Sequence, residues 1–364
     1  MNNVVNFSFK KKYLSSKDAP YFIAEIGINH NGDLNLVKKM IKASKSSGAN
    51  AVKFQKRDVS DLLNYNLNPP QPIGYLSKNE KDIPKKGVKF GNWAYPDTRL
   101  ELKKENYLKI KNYCKKIKVD LIVSPWDESS VDFICDLRIK AIKIASIDAN
   151  NYHFCEYIAK KKYPTIISTG MCTYDELLLT KKIFLKYKTP HMFLHCTSSY
   201  PSDEKDKNLN CITVLKKLLK CDIGFSGHGV GFIGTAGSVA LGVNVIEKHV
   251  TLNKKMAGPD HAASLKFKEF EDCVNIAKKI YVSLGSNKKK FLNSEKILHD
   301  VLIRKFVLTK NQKKNTRLNR KNLKTALVYS KSGILPNNFY KILGKKLKRN
   351  LNKGHIIKFS DLKK

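Results

Sequence analysis

The chain is predicted to fold as an α/β barrel, because two kinds of segment alternate along its 364 residues. Short runs rich in Ile, Val and Phe have the length of buried strands, and amphipathic segments rich in Lys and Leu have the spacing of helices. Eight strand–helix units over about 250 residues are typical of a (β/α)8 TIM barrel. The remainder of the chain is too short for a second barrel and predicts a small C-terminal domain.

The apolar runs are the candidate barrel strands. They are Tyr21–Gly27, Ala51–Gln55, Leu121–Trp126, Ala141–Asp148, Thr165–Gly170, Met192–Ser198, Asp222–Gly229 and Val245–Thr251. Between most of them lies a segment whose apolar residues have helical spacing, for example Leu34–Ser47, Ser129–Leu137, Tyr174–Tyr187 and Ile212–Leu219. An open doubly wound sheet is the alternative fold. It is disfavoured because the loop Gly27–Gly32 lacks the glycine spacing of a dinucleotide-binding turn.

Two irregular stretches interrupt the alternation and set the expected domain limits. Prolines and glycines in Lys56–Thr98 predict a long loop after the second strand, of the kind that acts as a lid or an interface. Polar residues dominate Gly285–Lys296, which predicts a linker. We therefore expect a barrel domain over residues 1–284, a linker over 285–300 and a small domain over 301–364.

Charge and cysteine content restrict the class of protein. The formal net charge is +38, from 69 Lys and Arg against 31 Asp and Glu. The lysines form small clusters along most predicted helices, as on solvated faces, so the sequence does not favour nucleic acid as a partner. The eight cysteines include no C-x-x-C pair, and no stretch has the length and apolarity of a signal or a membrane span. We expect a cytoplasmic protein with reduced thiols and no membrane contact.

Polar residues end the candidate strands, at the edge of a TIM barrel where active sites lie. Lys53 and Lys143 stand inside apolar runs, where a buried charge is costly unless it meets a partner or a ligand. Two converging ammonium groups beside several serines suit a small molecule that carries both a phosphate and a carboxylate. The alternative is an interior salt bridge from these lysines to Glu25 or Asp148.

Two histidines end the seventh and eighth candidate strands. His228 and His249 are too far apart in sequence to share a helix face, but they fit the ends of neighbouring strands. Such a pair can hold a divalent cation and leave coordination positions open for a substrate. The alternative is two separately satisfied core histidines. Likewise, Asp260 is either a site residue or a turn residue, and Tyr200 either a site residue or a packing aromatic.

A set of motifs, in order along nearly the whole chain, closely resembles the sialic acid synthase family. They are Ile23–Gly32, Lys53–Gln55, Ser168–Met171, His195–Pro201, Gly224–His228, Glu247–His249 and Gly258–His261. The end of the chain, with Ile342–Lys345 and Gly354–Ile357, looks like the family's C-terminal antifreeze-like (SAF) domain.

The resemblance implies a metal-dependent condensation of phosphoenolpyruvate with an open-chain N-acylated hexosamine, typically N-acetylmannosamine. The products would be a nine-carbon sialic acid, N-acetylneuraminate, and phosphate. Synthesis of legionaminic or pseudaminic acid, or use of a 6-phosphorylated hexosamine, are alternatives that the same pocket would serve. A non-catalytic sugar- or nucleic-acid-binding relative is a third possibility. The family also implies a homodimer in which the C-terminal domain of one chain covers the barrel of the other.

The resemblance further implies a role for each matched residue. His228 and His249 would bind Mn²⁺, with Mg²⁺ or Co²⁺ as alternatives, and Glu25 and Asp148 would handle protons. Phosphoenolpyruvate would contact Lys53, Ser124, Lys143, Ser146, Ser168, Ser198 and Ser226. The sugar would contact Gln55, Tyr200, Asp260 and Lys331, with Glu25 nearby. Three positions depart from bacterial relatives: Ser124 replaces threonine, Asp148 replaces glutamate, and Lys331 stands where an arginine of the C-terminal domain is usual.

Overall fold

The computed structural model describes residues 20–58, 100–256, 258 and 260–363. Most of the predicted loop Lys56–Thr98 therefore lies outside the described residues. The chain divides into two compact units, Met1–Gly285 and Ser286–Lys364.

The first unit contains a closed barrel of eight parallel strands. They are β1 (Tyr21–Gly27), β2 (Ala51–Lys56), β3 (Asp120–Pro125), β4 (Ala141–Ile144), β5 (Thr165–Ser168), β6 (His191–Cys196), β7 (Ile223–Gly227) and β8 (Val245–Thr251). Neighbours in sequence pair in order, and β1 pairs with β8 to close the barrel. The predicted (β/α)8 fold is confirmed. The fourth strand is shorter than predicted because Ser146–Asp148 forms a 3₁₀ turn.

Helices follow the strands and cover the outside of the barrel. They are α1 (Leu34–Ser46), α2 (Lys104–Ile117), α3 (Glu128–Leu137), α4 (Tyr152–Lys160), α5 (Tyr174–Lys186), α6 (Cys211–Leu219), α7 (Ile233–Gly237) and α8 (Phe267–Ser283), with a two-residue strand β9 (Leu265–Lys266) before the last. Local sequence sets their first residues: the Asp33 carboxylate accepts from two amides of α1, and Thr173 and Glu176 form a capping box on α5.

Side chains inside the barrel change from apolar to polar along each strand. The apolar part is a cluster of buried residues: Tyr21, Ile23, Ala51, Ile122, Ala141, Ile166, Met192, Leu194 and Val245. Alternate residues of a strand face the same side, so the next inward residue lies two positions further along each strand. Towards the carboxyl ends, these inward residues are polar. On β1, β2 and β8, these positions hold Glu25, Lys53 and Glu247. The apolar cluster is thus the floor of a polar cavity.

The second unit is a small fold with its own apolar core. It contains α9 (Lys296–Leu302), an antiparallel pair of strands β10 (Arg304–Leu308) and β11 (Leu323–Leu327), and α10 (Phe339–Ile342). Ten buried apolar residues form its core: Phe306, Leu308, Leu318, Leu323, Ile334, Ile342, Leu347, Leu351, Ile357 and Leu362. The Asp361 carboxylate is buried and accepts hydrogen bonds from Arg349 and His355. In the described part of the chain, no helix has both the length and the apolarity to cross a bilayer.

Candidate active site

Four ionisable side chains meet above the apolar floor of the barrel. The Lys53 ammonium lies 2.9 Å from Glu25 Oε1 and 3.5 Å from Glu247 Oε1. Lys143 Nζ lies 3.9 Å from the same oxygen of Glu247 and donates to Ser168 Oγ at 2.5 Å. Strands β4 and β8 stand on different sides of the barrel. The contact between Lys143 and Glu247 therefore places both of these side chains in the barrel interior. The interior salt bridge that the sequence offered for Lys53 is thus present, with Glu25.

The shifts in pKa reflect how this cluster shares its charge. Burial raises the pKa of Glu25, and nearby Glu247 raises it further, against the effect of Lys53. Burial alone would raise the pKa of Glu247 as well, but Lys143 and Lys53 together hold it below its ordinary value. The pKa of Lys143 is lowered by burial, whereas Glu247 and Glu25 outweigh burial at Lys53 and raise its pKa. Proximity to the two lysines thus outweighs burial at Glu247 but not at Glu25.

Serines predicted from the strand ends surround the two lysines. Ser124 Oγ accepts from Lys53 at 3.2 Å, and Ser226 donates to Glu247 at 3.2 Å. The side chains of Ser146 and Ser198 both approach Gly170. A Cβ at Gly170 would lie only 2.2 Å from Ser198 Oγ and 2.7 Å from Ser146 Oγ. A side chain there would displace both hydroxyls, so glycine at this position allows them to converge.

The two predicted metal-binding histidines are neighbours. The ring centroids of His228 and His249 are 5.5 Å apart. Nδ1 of His228 donates to Thr197 O at 2.9 Å, and its Nε2 is bonded to the Tyr200 hydroxyl at 2.9 Å. Burial and the positive charges around it lower the pKa of His249 well below its ordinary value, so its imidazole is neutral. His249 Nδ1 is buried without a hydrogen-bond partner and lies 3.7 Å from Asp260 Oδ2.

Three residues predicted for the sugar, Gln55, Tyr200 and Asp260, lie on the same side of the cavity as the histidines. Gln55 Nε2 donates to Glu25 Oε1 at 3.3 Å. Burial and the neighbouring carboxylate of Glu25 raise the pKa of Asp260 to about 6. The Tyr200 ring packs on His228 with centroids 4.1 Å apart, so this tyrosine both packs and donates a polar group to the site.

One predicted site residue of the barrel, Asp148, stands apart from this cluster. The side chain of Asp148 accepts a hydrogen bond from neighbouring Asn151 at 3.2 Å, in the turn after β4. Burial raises the pKa of Asp148, but its hydrogen bond is local to that turn. Lys331 is exposed, between Ser330 and Ser332, in a turn of the second unit. The barrel unit by itself brings together every other residue that the sequence predicted for the site.

Two residues of the cluster were absent from the predicted set. Glu247 was noted only as a polar strand residue, although its place two positions before His249 puts both on the inner face of β8. Strand alternation was therefore a sufficient signal for Glu247. Cys196 Sγ lies 3.4 Å from Ser146 Oγ and 3.6 Å from His228 Nδ1. A buried cysteine is often an ordinary core residue, so the sequence around Cys196 did not indicate a place in the site.

Comparison with known proteins places the chain in a family. The NeuB family matches residues 40–289, and the SAF domain family matches residues 304–363. The chain belongs to the NeuB family. This confirms the predicted resemblance to sialic acid synthases and the predicted C-terminal SAF domain.

Individual NeuB-family relatives match along most of their length. The chain is 32% identical to N,N'-diacetyllegionaminic acid synthase of Legionella pneumophila, over 92% of each protein. It is 32% identical to N-acetylneuraminate-9-phosphate synthase of Mus musculus, over 92% of this chain and 90% of that protein. The crystal structure of the N-acetylneuraminic acid synthetase of Leptospira borgpetersenii, in complex with citrate, superposes with a TM-score of 0.67. That match has 30% identity and covers 77% of this chain and 90% of the other.

The charge cluster yields a prediction about stability. Glu247→Ala should lower the free energy of unfolding by about 3–5 kcal/mol, because it leaves the buried Lys143 ammonium without its carboxylate. Urea denaturation followed by circular dichroism measures this change. The matched control is Glu156→Ala, which removes an exposed carboxylate paired with Lys186 and should have little effect. Equal losses in the two variants would contradict the interior cluster.

Proposed function

We propose that this NeuB-family protein condenses phosphoenolpyruvate with an open-chain N-acylated hexosamine, giving a nonulosonic acid and phosphate. The observation that carries the proposal is the pair of buried lysines, Lys53 and Lys143, beside converging serines and next to two adjacent histidines. The family's relatives named above support it, since their names describe synthases of legionaminic acid and of N-acetylneuraminate 9-phosphate.

The lysine side of the cavity suits phosphoenolpyruvate. Its phosphate and carboxylate would lie against the Lys53 and Lys143 ammonium groups, with hydrogen bonds from Ser124, Ser146, Ser168, Ser198 and Ser226. Charge-assisted hydrogen bonds of this kind are about twice as strong as neutral ones. The apolar cluster inside the barrel closes the polar cavity at its floor. A substrate would therefore enter the cavity from the carboxyl ends of the strands. An anion there would compete with Glu25 and Glu247 for the same two cations.

The histidine side of the cavity suits a divalent metal, with Mn²⁺ as our proposal. In the described residues, no three side chains of His, Cys, Asp and Glu are arranged to hold an ion by themselves. His228 and His249 would supply two ligands, with the ion replacing the Tyr200 hydroxyl at His228 Nε2, and substrate or water would supply the others. The neutral imidazole of His249, with an unpaired buried nitrogen, has the protonation state that metal binding requires. When bound, the ion would polarise the sugar aldehyde as a Lewis acid.

In the proposed reaction, the methylene carbon of phosphoenolpyruvate attacks the aldehyde carbon and forms the new C–C bond. Water then adds to the carbon that bears the phosphate ester, and the tetrahedral intermediate loses phosphate by C–O cleavage. The aldehyde oxygen gains one proton. The water gives up one proton when it adds, and its second proton passes to the departing phosphate as the ketone forms. Glu25 is the residue that we propose to exchange a proton, because its pKa is raised and it lies beside Lys53 and Gln55. Asp148 remains a second candidate.

The sugar would bind on the side of Gln55, Tyr200 and Asp260. These three residues present an amide, a phenol and a carboxyl group, which match the hydroxyl and N-acyl groups of a hexosamine. A homodimer, with the C-terminal domain of one chain over the barrel of the other, would add Lys331 to this side and exclude water from the reacting carbons.

The function is tested by phosphate release from phosphoenolpyruvate with a panel of N-acylated hexosamines, with and without a 6-phosphate group. We expect release with at least one sugar, only with a divalent metal present, and loss of turnover in His228→Ala. The control His153→Ala removes an exposed imidazole and should keep full activity. Full activity in excess chelator, or in His228→Ala with its circular dichroism unchanged, would refute the metal assignment.

The lysine assignment has a kinetic consequence. Lys53→Met should raise the Michaelis constant for phosphoenolpyruvate about ten- to a hundredfold and leave that for the sugar nearly unchanged, because a lost charged hydrogen bond costs about 1.5–3 kcal/mol. Lys160→Met, at an exposed helix position, serves as the control. A destabilised Lys53→Met variant with unchanged affinity for phosphoenolpyruvate would make Lys53 a structural ion pair.

The proposed lid is tested at Lys331 and by the mass of the protein. We expect a dimer at micromolar concentration, and a larger rise in the sugar's Michaelis constant than in that of phosphoenolpyruvate in Lys331→Ala. Lys331→Arg should lower the sugar's constant, because a guanidinium makes bidentate hydrogen bonds that an ammonium cannot. A monomer that keeps full activity after deletion of residues 301–364 would refute the domain exchange and the lid together.

A further inference from the structure

A buried polar network joins the loop after β1 to the loop after β8. Asn29 is fully buried, and its amide Nδ2 donates both hydrogens, to Val250 O and to Ser264 Oγ, each at 2.9 Å. Val250 directly follows His249 in the chain. These two bonds tie together segments more than 200 residues apart in sequence, so the network exists only in the folded barrel.

The network continues to Asp260. Ser264 Oγ, which accepts from Asn29, donates to Asp260 O at 2.6 Å. The next side chain, that of His261, is hydrogen-bonded through Nδ1 to Thr251 Oγ1 at 2.7 Å and is fully buried. The backbone around Asp260 is therefore held on two sides. Successive hydrogen bonds in a low-dielectric interior polarise and strengthen one another, which favours one position of the loop.

The carboxylate of Asp260 consequently reaches the sugar side of the cavity. Its Oδ2 lies 3.7 Å from His249 Nδ1. A Cβ placed on Gly27 would lie 3.3 Å from Asp260 Oδ2 and 3.2 Å from Glu25 Oε1, so the two carboxyl groups approach the same point of β1. Gly27 has a φ of +57°, a conformation that glycine adopts without strain, and this leaves the space open.

Asn29 takes part in the network through its two donors. A single amide group supplies both hydrogen bonds, one to the end of β8 and one to Ser264 in the loop that carries Asp260.

We propose that Asn29 and Ser264 are positioning residues for the acceptor sugar, acting through the place of the Asp260 carboxylate. The inference rests on the proposed function for its substrate, and on the hydrogen bonds above for its geometry. Neither residue was among those that the sequence assigned to the site. The network lies on the sugar side, so it should affect sugar binding and leave the anion pocket around Lys53 intact.

The test compares Ser264→Ala with Thr189→Val in the full-length protein. Thr189 is also buried and donates its hydroxyl to a backbone oxygen, Ala159 O, but it precedes β6 at the opposite end of the barrel. We expect Ser264→Ala to raise the sugar's Michaelis constant about three- to tenfold, the size of one lost hydrogen bond, with that of phosphoenolpyruvate changed less than twofold. Thr189→Val should change neither constant. Asn29→Asp, which keeps the shape and loses the donors, should act as Ser264→Ala does.

Hydrogen–deuterium exchange of the same variants, without substrates, supplies a second measurement. Amides of residues 260–264 should exchange faster in Ser264→Ala than in the wild type and in Thr189→Val. An unchanged exchange rate, an unchanged sugar constant, or an equal rise in both Michaelis constants would overturn the positioning role. If the wild type releases no phosphate with any hexosamine, the proposed function fails. The exchange rates then still decide whether Ser264 holds the loop.

Discussion

The rest of the site depends on one constraint: charged groups inside a barrel must compensate one another. Lys53 and Lys143 are nearly free of solvent, and an isolated ammonium in such a place would lose its proton or destabilise the fold. Glu247 stands between them, and the two ammonium groups hold its pKa below its ordinary value. The cavity therefore holds two cations in place before any substrate arrives. Their position is fixed by carboxylates that the proposed anion would partly replace.

This arrangement suits the anion binding that we propose, because carboxylates pair with the two ammonium groups when no ligand is bound. The two ammonium groups hold the pKa of Glu247 below its ordinary value, whereas burial raises that of Glu25. A phosphate and a carboxylate would find two fixed ammonium groups and a set of serine hydroxyls. Because these donors are held by the strands, little reorganisation is needed when the ligand binds, which is the basis of electrostatic preorganisation.

Along each barrel strand, the inward residues that form the core and those that line the cavity occupy different ends. The inward residues near the amino ends, such as Ile23 and Ala51, form the apolar floor, and the inward residues near the carboxyl ends form the cavity. The outer faces of the same strands pack against the helices. Loops complete the cavity. The segment after β8 places Asp260 Oδ2 3.7 Å from His249 Nδ1, and its Ser264 hydroxyl accepts a hydrogen bond from Asn29, in the loop after β1.

The sequence by itself determined the barrel and most of the residues that meet in its cavity, because both follow from local rules. Strand length and the period of two place Lys53, Lys143, His228 and His249 at strand ends, and any parallel barrel gathers strand ends in one cavity. The motifs in their order along the chain were enough to predict the family, and the comparisons confirm it.

The tertiary structure decided the partners of these residues. Sequence offered Glu25 or Asp148 as the counter-ion of the lysines, and only the closed barrel brings Glu25 and Glu247 to them while Asp148 remains in its turn with Asn151. The path from Asn29 through Ser264 to Asp260 was equally absent from the sequence. Hydrogen bonds between segments more than 200 residues apart have no local signature, because they depend on which strand closes the barrel against β1.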